Sequence, residues 1–377
     1  MADERAWTAT WLKTGRDAFA EMLAAIERAT RSICLETYIC DDSDVSRRFR
    51  AALIAAIGRG VRVRVLIDAF GSLELRNAFW QPLVKAGGAF RWFNPLTLNR
   101  LAYRNHRKLL VCDGNVAFIG GYNISSAYDG DGVSSGWRDL GLRLTGDIVS
   151  ALAESFELLF AKADFKHRLL PPLRRRGTAI LESGLRWKLL LNIPSFRHRA
   201  VKRTLVEDLR HARSVCIESG YFLPTWRIRH RLLRLARSGV RVRLILAGRS
   251  DVWLAQLAGR RLYEAFMKAG VEIYEYQPQI LHAKLVVIDD TVYAGSCNLD
   301  LRSLNFNYEL MVRMQDASLA AEAREMFEKD LENSRRIDPA TWRHERNIWT
   351  KWREDVAHFL LTRIDPFVAR WQLKLLR

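Results

Sequence analysis

His106-Arg-Lys-Leu-Leu-Val-Cys-Asp113 and His282-Ala-Lys-Leu-Val-Val-Ile-Asp289 are two copies of one pattern. Each has a histidine, a lysine two residues on, an apolar run and an aspartate. The run is short and rich in branched side chains, which predicts a strand over 106–112 and another over 282–288. Side chains alternate along a strand, so each histidine faces the same way as its lysine. Both copies continue into small residues and an asparagine, Gly120-Gly121-Tyr122-Asn123 and Gly295-Ser296-Cys297-Asn298.

Further matches precede each copy in the same order and at nearly constant offset. Ser32-Ile-Cys-Leu-Glu36 is echoed by Ser214-Val-Cys-Ile-Glu218, Gly60-Val-Arg-Val-Arg64 by Gly239-Val-Arg-Val-Arg243, and Lys85-Ala-Gly87 by Lys268-Ala-Gly270. The chain therefore reads as a duplication of one α/β unit. Each unit carries helices (18–31, 47–59 and 77–86; then 199–212, 228–237 and 255–269) between strands (32–38, 61–68, 89–93 and 116–120; then 214–218, 240–246, 271–275 and 291–295). The expected divisions are 1–160 for the first unit, 161–188 for a linker containing Pro171-Pro172 and Arg174 to Arg176, 189–332 for the second unit, and 333–377 for a C-terminal segment without a counterpart.

An imidazole beside an ammonium suits a phosphodiester. The ammonium neutralises a non-bridging oxygen, and the imidazole attacks phosphorus or moves a proton. A single such pair is ordinarily a surface histidine next to a lysine. Two copies in the two halves of a repeat reverse that reading, and only two of the eight histidines follow it. The small residues allow close approach of backbone to an oxyanion. No carboxylate cluster with metal-ligand spacing stands out, and two lysines supply the charge a metal would bring, so neither metal nor cofactor is expected.

Composition narrows the class. With 49% hydrophobic and 27% charged residues the chain is globular, not disordered. It holds 60 Lys and Arg against 42 Asp and Glu, a net charge of +18 that favours polyanionic partners. The five cysteines include no CxxC pair, and Cys34, Cys112 and Cys216 lie in apolar runs, so buried thiols are expected. No signal peptide and no apolar stretch long enough to span a bilayer is read.

The pattern resembles the signature of the phospholipase D superfamily, HxK(x)4D(x)6G(G/S)xN. His106, Lys108, Asp113, Gly120, Gly121 and Asn123 match it in full. The second copy differs in one respect: Gly295 arrives one residue early, with Asp290 beside Asp289 in the shortened turn. Leu35 to Tyr38, Trp137-Arg-Asp139, Gly220 to Pro224, Gly295 to Asp300 with Arg302-Ser303, and Asn307-Tyr-Glu309 resemble bacterial cardiolipin synthases of the type without an N-terminal transmembrane pair. This resemblance implies two tandem phospholipase D-like domains, each a mixed β-sheet flanked by helices, meeting at a pseudo-twofold around one shared active site. It implies a phosphohistidine mechanism with His106 as nucleophile and His282 as acid/base, an assignment the sequence alone does not separate. Lys108, Lys284, Asn123 and Asn298 are expected to hold phosphate oxygens. Asp139 and Glu309, 33 and 27 residues beyond the histidines of their own halves, are expected to orient those histidines, with Asp113 and Asp289 completing the catalytic set from behind it.

The acceptor decides the biology. A lipid alcohol gives a cardiolipin synthase, water a phospholipase D hydrolase, and a nucleic-acid substrate an endonuclease. Two features favour lipid. Thr341 to Arg377 interleaves Trp, Phe and Leu with Arg and Lys, as in a helix lying on an anionic bilayer. Phe79-Trp80 and Leu96 to Tyr103 mix apolar and basic residues near the first motif, suggesting loops that admit acyl chains. The expected partner is an anionic phospholipid, with peripheral attachment to the cytoplasmic face of a bacterial membrane, no nucleic acid, and no need for oligomerisation.

Overall fold

A computed structural model describes residues 7–95, 103–163, 180–183, 186–194, 199–344 and 346–369. Ile33 to Thr37 are buried on both faces, as a central strand demands. This strand, β2 (Ser32–Thr37), pairs in parallel with β3 (Arg62–Asp68), which pairs in parallel with β4 (Ala89–Phe93). On its other side β2 meets β5 (Leu109–Cys112), antiparallel, and β5 turns into β6 (Val116–Gly120). β7 (Gly141–Gly146) and β1 (Trp7–Leu12) complete a seven-stranded sheet in the order β1-β7-β6-β5-β2-β3-β4.

The second half repeats this arrangement with β10 (Ser214–Ser219), β11 (Arg241–Ala247), β12 (Glu272–Tyr276), β13 (Lys284–Ile288), β14 (Thr291–Gly295) and β15 (Glu309–Gln315). β10, β11 and β12 are parallel, and β13 joins β10 antiparallel. With β8 (Ile180–Ser183), β9 (Trp187–Asn192) and β16 (Ser334–Arg336) the sheet reaches nine strands, β16-β12-β11-β10-β13-β14-β15-β9-β8. Each parallel step needs a crossover, and for the β2–β3 and β10–β11 steps Asp44–Gly58 and Trp226–Arg237 provide it, with shorter helices between β3 and β4 and between β11 and β12. The second of these buries Ile228, Leu232 and Leu235, a helical stripe in an otherwise basic sequence.

One continuous core joins the halves: Leu142, Leu144 and Ile148 cluster with Val292, Leu310 and Val312. Buried Arg138 reaches across to Asp330, 2.7 Å away. All five cysteines are free and buried.

Several boundaries differ from the sequence reading. The expected helix 255–269 is two helices, Trp253–Arg260 and Tyr263–Lys268, where Gly259 packs so tightly that a Cβ would stand 2.9 Å from the Phe222 carbonyl oxygen. Part of the expected linker is β8, and residues 164–179 lie outside the described set. Phe79-Trp80 is not a loop that admits acyl chains. Both side chains are buried, and the Trp80 ring stacks on Phe90 at 5.6 Å. Residues 96–102 are not described. In the C-terminal segment Trp342 is buried against Tyr263, whereas Trp349 and Trp352 on the helix Ile348–Phe359 are exposed.

Candidate active site

His106 and His282 stand just ahead of β5 and β13, in extended stretches that pair with the opposite half. His106 N donates to Tyr308 O at 3.0 Å, and Tyr308 N donates to Arg104 O at 2.8 Å. In the other half His282 N donates to Arg138 O at 2.7 Å, and Arg138 N to Ile280 O at 2.9 Å. Tyr308 and Arg138 immediately precede Glu309 and Asp139. The backbone pairing therefore brings each histidine beside the carboxylate of the other half.

The side chains follow. His106 Nδ1 lies 3.1 Å from Glu309 Oε1, and His282 Nδ1 lies 2.6 Å from Asp139 Oδ2. The sequence reading had each carboxylate serving the histidine of its own half; the pairing is crossed. All four groups are buried. With Nδ1 held by a carboxylate, Nε2 is left for chemistry, and at His282 the Tyr128 hydroxyl stands 3.5 Å from it. Both imidazoles line one cavity of about 440 Å³. Tyr38 meets His106 edge-on at 5.0 Å, and Tyr128 meets His282 at 5.2 Å.

Lys108 Nζ donates to His106 O at 2.6 Å, and Lys284 Nζ donates to His282 O. Lys284 Nζ also approaches His282 Nδ1 at 2.7 Å, sharing that edge with Asp139. Burial together with the neighbouring Lys284 pushes Lys108 down to about 7. Burial pushes Lys284 down to about 8 against the pull of Asp139 and Glu309. It also lowers both histidines, His282 further because Lys284, Lys108 and His106 surround it. Burial raises Asp139 to about 6 even though Lys284 favours its ionised form. Burial acts the same way on Glu309, but His106, Lys108 and the Ser296 hydroxyl outweigh it and hold Glu309 below the usual range. Burial thus favours the neutral form of both imidazoles, which line the cavity, and weakens the two ammonium groups that bond to the histidine carbonyl oxygens. An anionic phosphodiester in the cavity would favour the charged form of each of these groups.

Asn123 lines the cavity, but its amide is engaged. Nδ2 donates to the Tyr128 hydroxyl at 2.7 Å, and Oδ1 accepts from Ile39 N at 3.0 Å. Asn298 lines it too, with a buried Oδ1 that has no partner among the described residues. The small residues make room for the carboxylates. A Cβ on Gly121 would fall 2.1 Å from Asp139 Oδ1, and Ser296, at the matching position, donates its hydroxyl to Glu309.

Asp113 and Asp289 do not join the catalytic set. Each stands seven positions along extended chain from its histidine, on the order of 20 Å. Both sit in left-handed turns, φ 55° and 49°. The Asp113 carboxylate accepts from Arg31 N at 2.7 Å and Ser32 N at 2.9 Å; Asp289 accepts from Arg213 N at 3.1 Å and Ser214 N at 2.9 Å. They pin the start of the central strand in each half. Asp289, not Asp290, is therefore the counterpart of Asp113.

Other cavity residues carry no repeat signal. Phe70, Val252 and Leu361 form apolar walls. They come from loops and from the C-terminal segment, so periodicity does not reveal them. Tyr38, Trp137, Tyr221, Asp300 and Arg302, by contrast, belong to motifs already noted; Arg302 is held in a bidentate pair by Asp365.

A family model described as cardiolipin synthase, PLD-like domain, matches residues 22–129 and 205–331. The chain is 32% identical over 362 residues to the major cardiolipin synthase ClsA of Bacillus subtilis (strain 168), covering 92% of this chain and 73% of that protein. It is 32% identical over 369 residues to cardiolipin synthase B of Escherichia coli O6:H1, covering 96% and 89%. Among solved structures, a phosphatidylserine synthase from Haemophilus influenzae Rd KW20 superposes with a TM-score of 0.76 at 14% identity, over 96% of this chain and 94% of that one. At that identity the likeness speaks for the fold alone.

Proposed function

Because this chain belongs to the cardiolipin synthase, PLD-like domain family, we propose that it transfers a phosphatidyl group from phosphatidylglycerol, or a similar phospholipid, to an alcohol of a second lipid. The observation that supports this reading is the crossed pair of buried His–carboxylate couples, whose imidazoles line one cavity and whose histidine carbonyl oxygens each accept from a lysine. In the first step His106 Nε2 bonds to phosphorus while the P–O bond to the leaving alcohol breaks, and His282 gives that oxygen a proton. In the second, His282 takes the proton of the incoming hydroxyl, the new P–O bond forms, and the P–N bond breaks. Lys108, Lys284 and Asn298 offset charge on the non-bridging oxygens, where it grows in the transition state. Asn123 assists through the position in which Tyr128 and Ile39 hold it.

Two phosphatidylglycerols would give cardiolipin and glycerol. The test is to incubate the purified chain with phosphatidylglycerol vesicles, with and without phosphatidylethanolamine, and separately with plasmid DNA. Cardiolipin is the expected product. Phosphatidic acid as the sole product would make the chain a hydrolase, and nicked DNA with untouched lipid would overturn the lipid assignment.

No helix among the described residues is long and apolar enough to cross a membrane. The proposed contact with the cytoplasmic face is peripheral, through the exposed side of the helix Ile348–Phe359. Its inner side is docked, with Ala357 buried and Glu354 paired to Arg346. Its outer side leaves Trp349 and Trp352 at 70% and 58% exposure, and Phe70 and Val252, exposed at the cavity edge, extend the apolar surface. Indole rings favour the headgroup layer, and the net charge of +18 favours an anionic one. Replacing Trp349 and Trp352 together by alanine should weaken sedimentation with phosphatidylglycerol vesicles by about tenfold or more. Unchanged sedimentation would move the contact to another face.

A further inference from the structure

A second cavity, of about 520 Å³, lies behind the wall of the first. The short helix Leu301–Asn305 separates them: Leu301 lines both, Arg302 and Ser303 face the first, and Asn305 faces the second. The C-terminal helix divides in the same way, with Leu361 and Asp365 on the first cavity and Thr362 and Pro366 on the second.

The second cavity is built for an anion. Arg199, Lys202, Arg203 and Arg227 line it, and no carboxylate does so among the described residues. Lys202, Arg203 and Arg227 form no ion pair among the described residues. Lys202 and Arg203 stand in the first turn of the helix Ala200–Asp208, where the helix field disfavours cations, and no acidic residue shares that turn. Such an arrangement costs stability unless something negative binds there. Burial and the three arginines press Lys202 down to about 8.

The N-terminus of a twelve-residue helix, Trp226–Arg237, also meets the cavity. Its cap residue Thr225 makes no side-chain capping bond. Thr225 lines the cavity, is only 8% exposed, and has a hydroxyl with no partner among the described residues. A buried hydroxyl without a partner is costly and calls for a ligand. Helix amides, a free hydroxyl and a ring of cations together form a phosphate cradle. Trp226, 65% exposed, stands at the same cavity.

We propose that this cavity is a second anion site, which takes the phosphate of an anionic phospholipid headgroup beside the reacting one. The proposal rests on the phospholipid reading only for the choice of probe. Free phosphate has the same chemistry, and the experiment separates the two sources.

Lys202 supplies the readout, because an amine of depressed basicity acylates readily. The full-length chain would be labelled with a limiting amine-reactive ester and Lys202 modification scored by mass spectrometry. The competitors would be inorganic phosphate or phosphatidylglycerol vesicles of equal accessible phosphate. Protection by vesicles at concentrations well below those needed for phosphate is the expected result and identifies a headgroup site. Equal potency would support the anion site with free phosphate as its ligand. The double variant Arg203→Gln, Arg227→Gln should need at least about tenfold more lipid for the same fractional protection. Protection unchanged in that variant would mean that a bilayer merely covers Lys202, and no protection by either probe would mean there is no site; both outcomes overturn the proposal. Labelling needs no turnover, so a failure to make cardiolipin is distinguishable from a failure of this site.

Discussion

Alanine at His106 or at His282 is expected to lower turnover by at least about a thousandfold, and the double variant by little more than either single one. In the proposed cycle the two imidazoles act on one phosphorus, so losing either stops it. The singles should differ in where they stop. With an activated phosphodiester such as a p-nitrophenyl ester, whose leaving group needs no proton, the His282→Ala protein should still release one burst of nitrophenol per chain and retain the phosphoryl group on His106. The His106→Ala protein should give no burst. A reversed pattern would exchange the two roles, and near-normal turnover in either variant would end the two-histidine mechanism. Each change leaves a buried carboxylate without its imidazole, Glu309 or Asp139. Losing that hydrogen bond to a buried charged group costs about 1.5–3 kcal/mol of stability, so melting temperature must be measured alongside.

What the sequence disclosed, and what it withheld, follows from the kind of physics involved. The duplication, the parallel β2–β3 and β10–β11 pairs, and the two histidines are local or periodic signals, and they read through directly. The crossed carboxylates are not local. Asp139 meets His282, and Glu309 meets His106, because residues 138 and 308 bridge to the strand entrances of the opposite half, which no spacing within one repeat encodes. Asp113 and Asp289 misled for the opposite reason. Their spacing from histidine is regular because the strand between has fixed length, yet that length carries them away from the site. Gly121 shows a third case: its smallness was legible, but its purpose depends on the Asp139 carboxylate brought to it by folding.

The crossed couples make the second large prediction. Asp139→Asn and Glu309→Gln should each lower kcat/KM by about a hundredfold to ten-thousandfold, a range set by an amide in place of the carboxylate that orients a catalytic imidazole. A carboxylate accepts Nδ1–H and leaves Nε2 with its lone pair. An amide can instead donate to Nδ1, which moves the imidazole proton to Nε2. In Glu309→Gln that blocks the nucleophile; in Asp139→Asn it blocks the base of the second step and also destabilises the imidazolium of the first. A pH profile distinguishes this from a merely structural defect. In the parent protein, kcat/KM should fall as pH drops below about 6, where Asp139 takes up a proton. It should fall again as pH rises past about 7 to 8, where Lys108 and Lys284 lose theirs. Asp139→Asn should lack the acid limb. Because the Asp139 charge holds both lysines up, its loss should also move the alkaline limb to lower pH. A variant that kept both limbs in place while losing activity would show that Asp139 supports the fold around His282 without setting its proton.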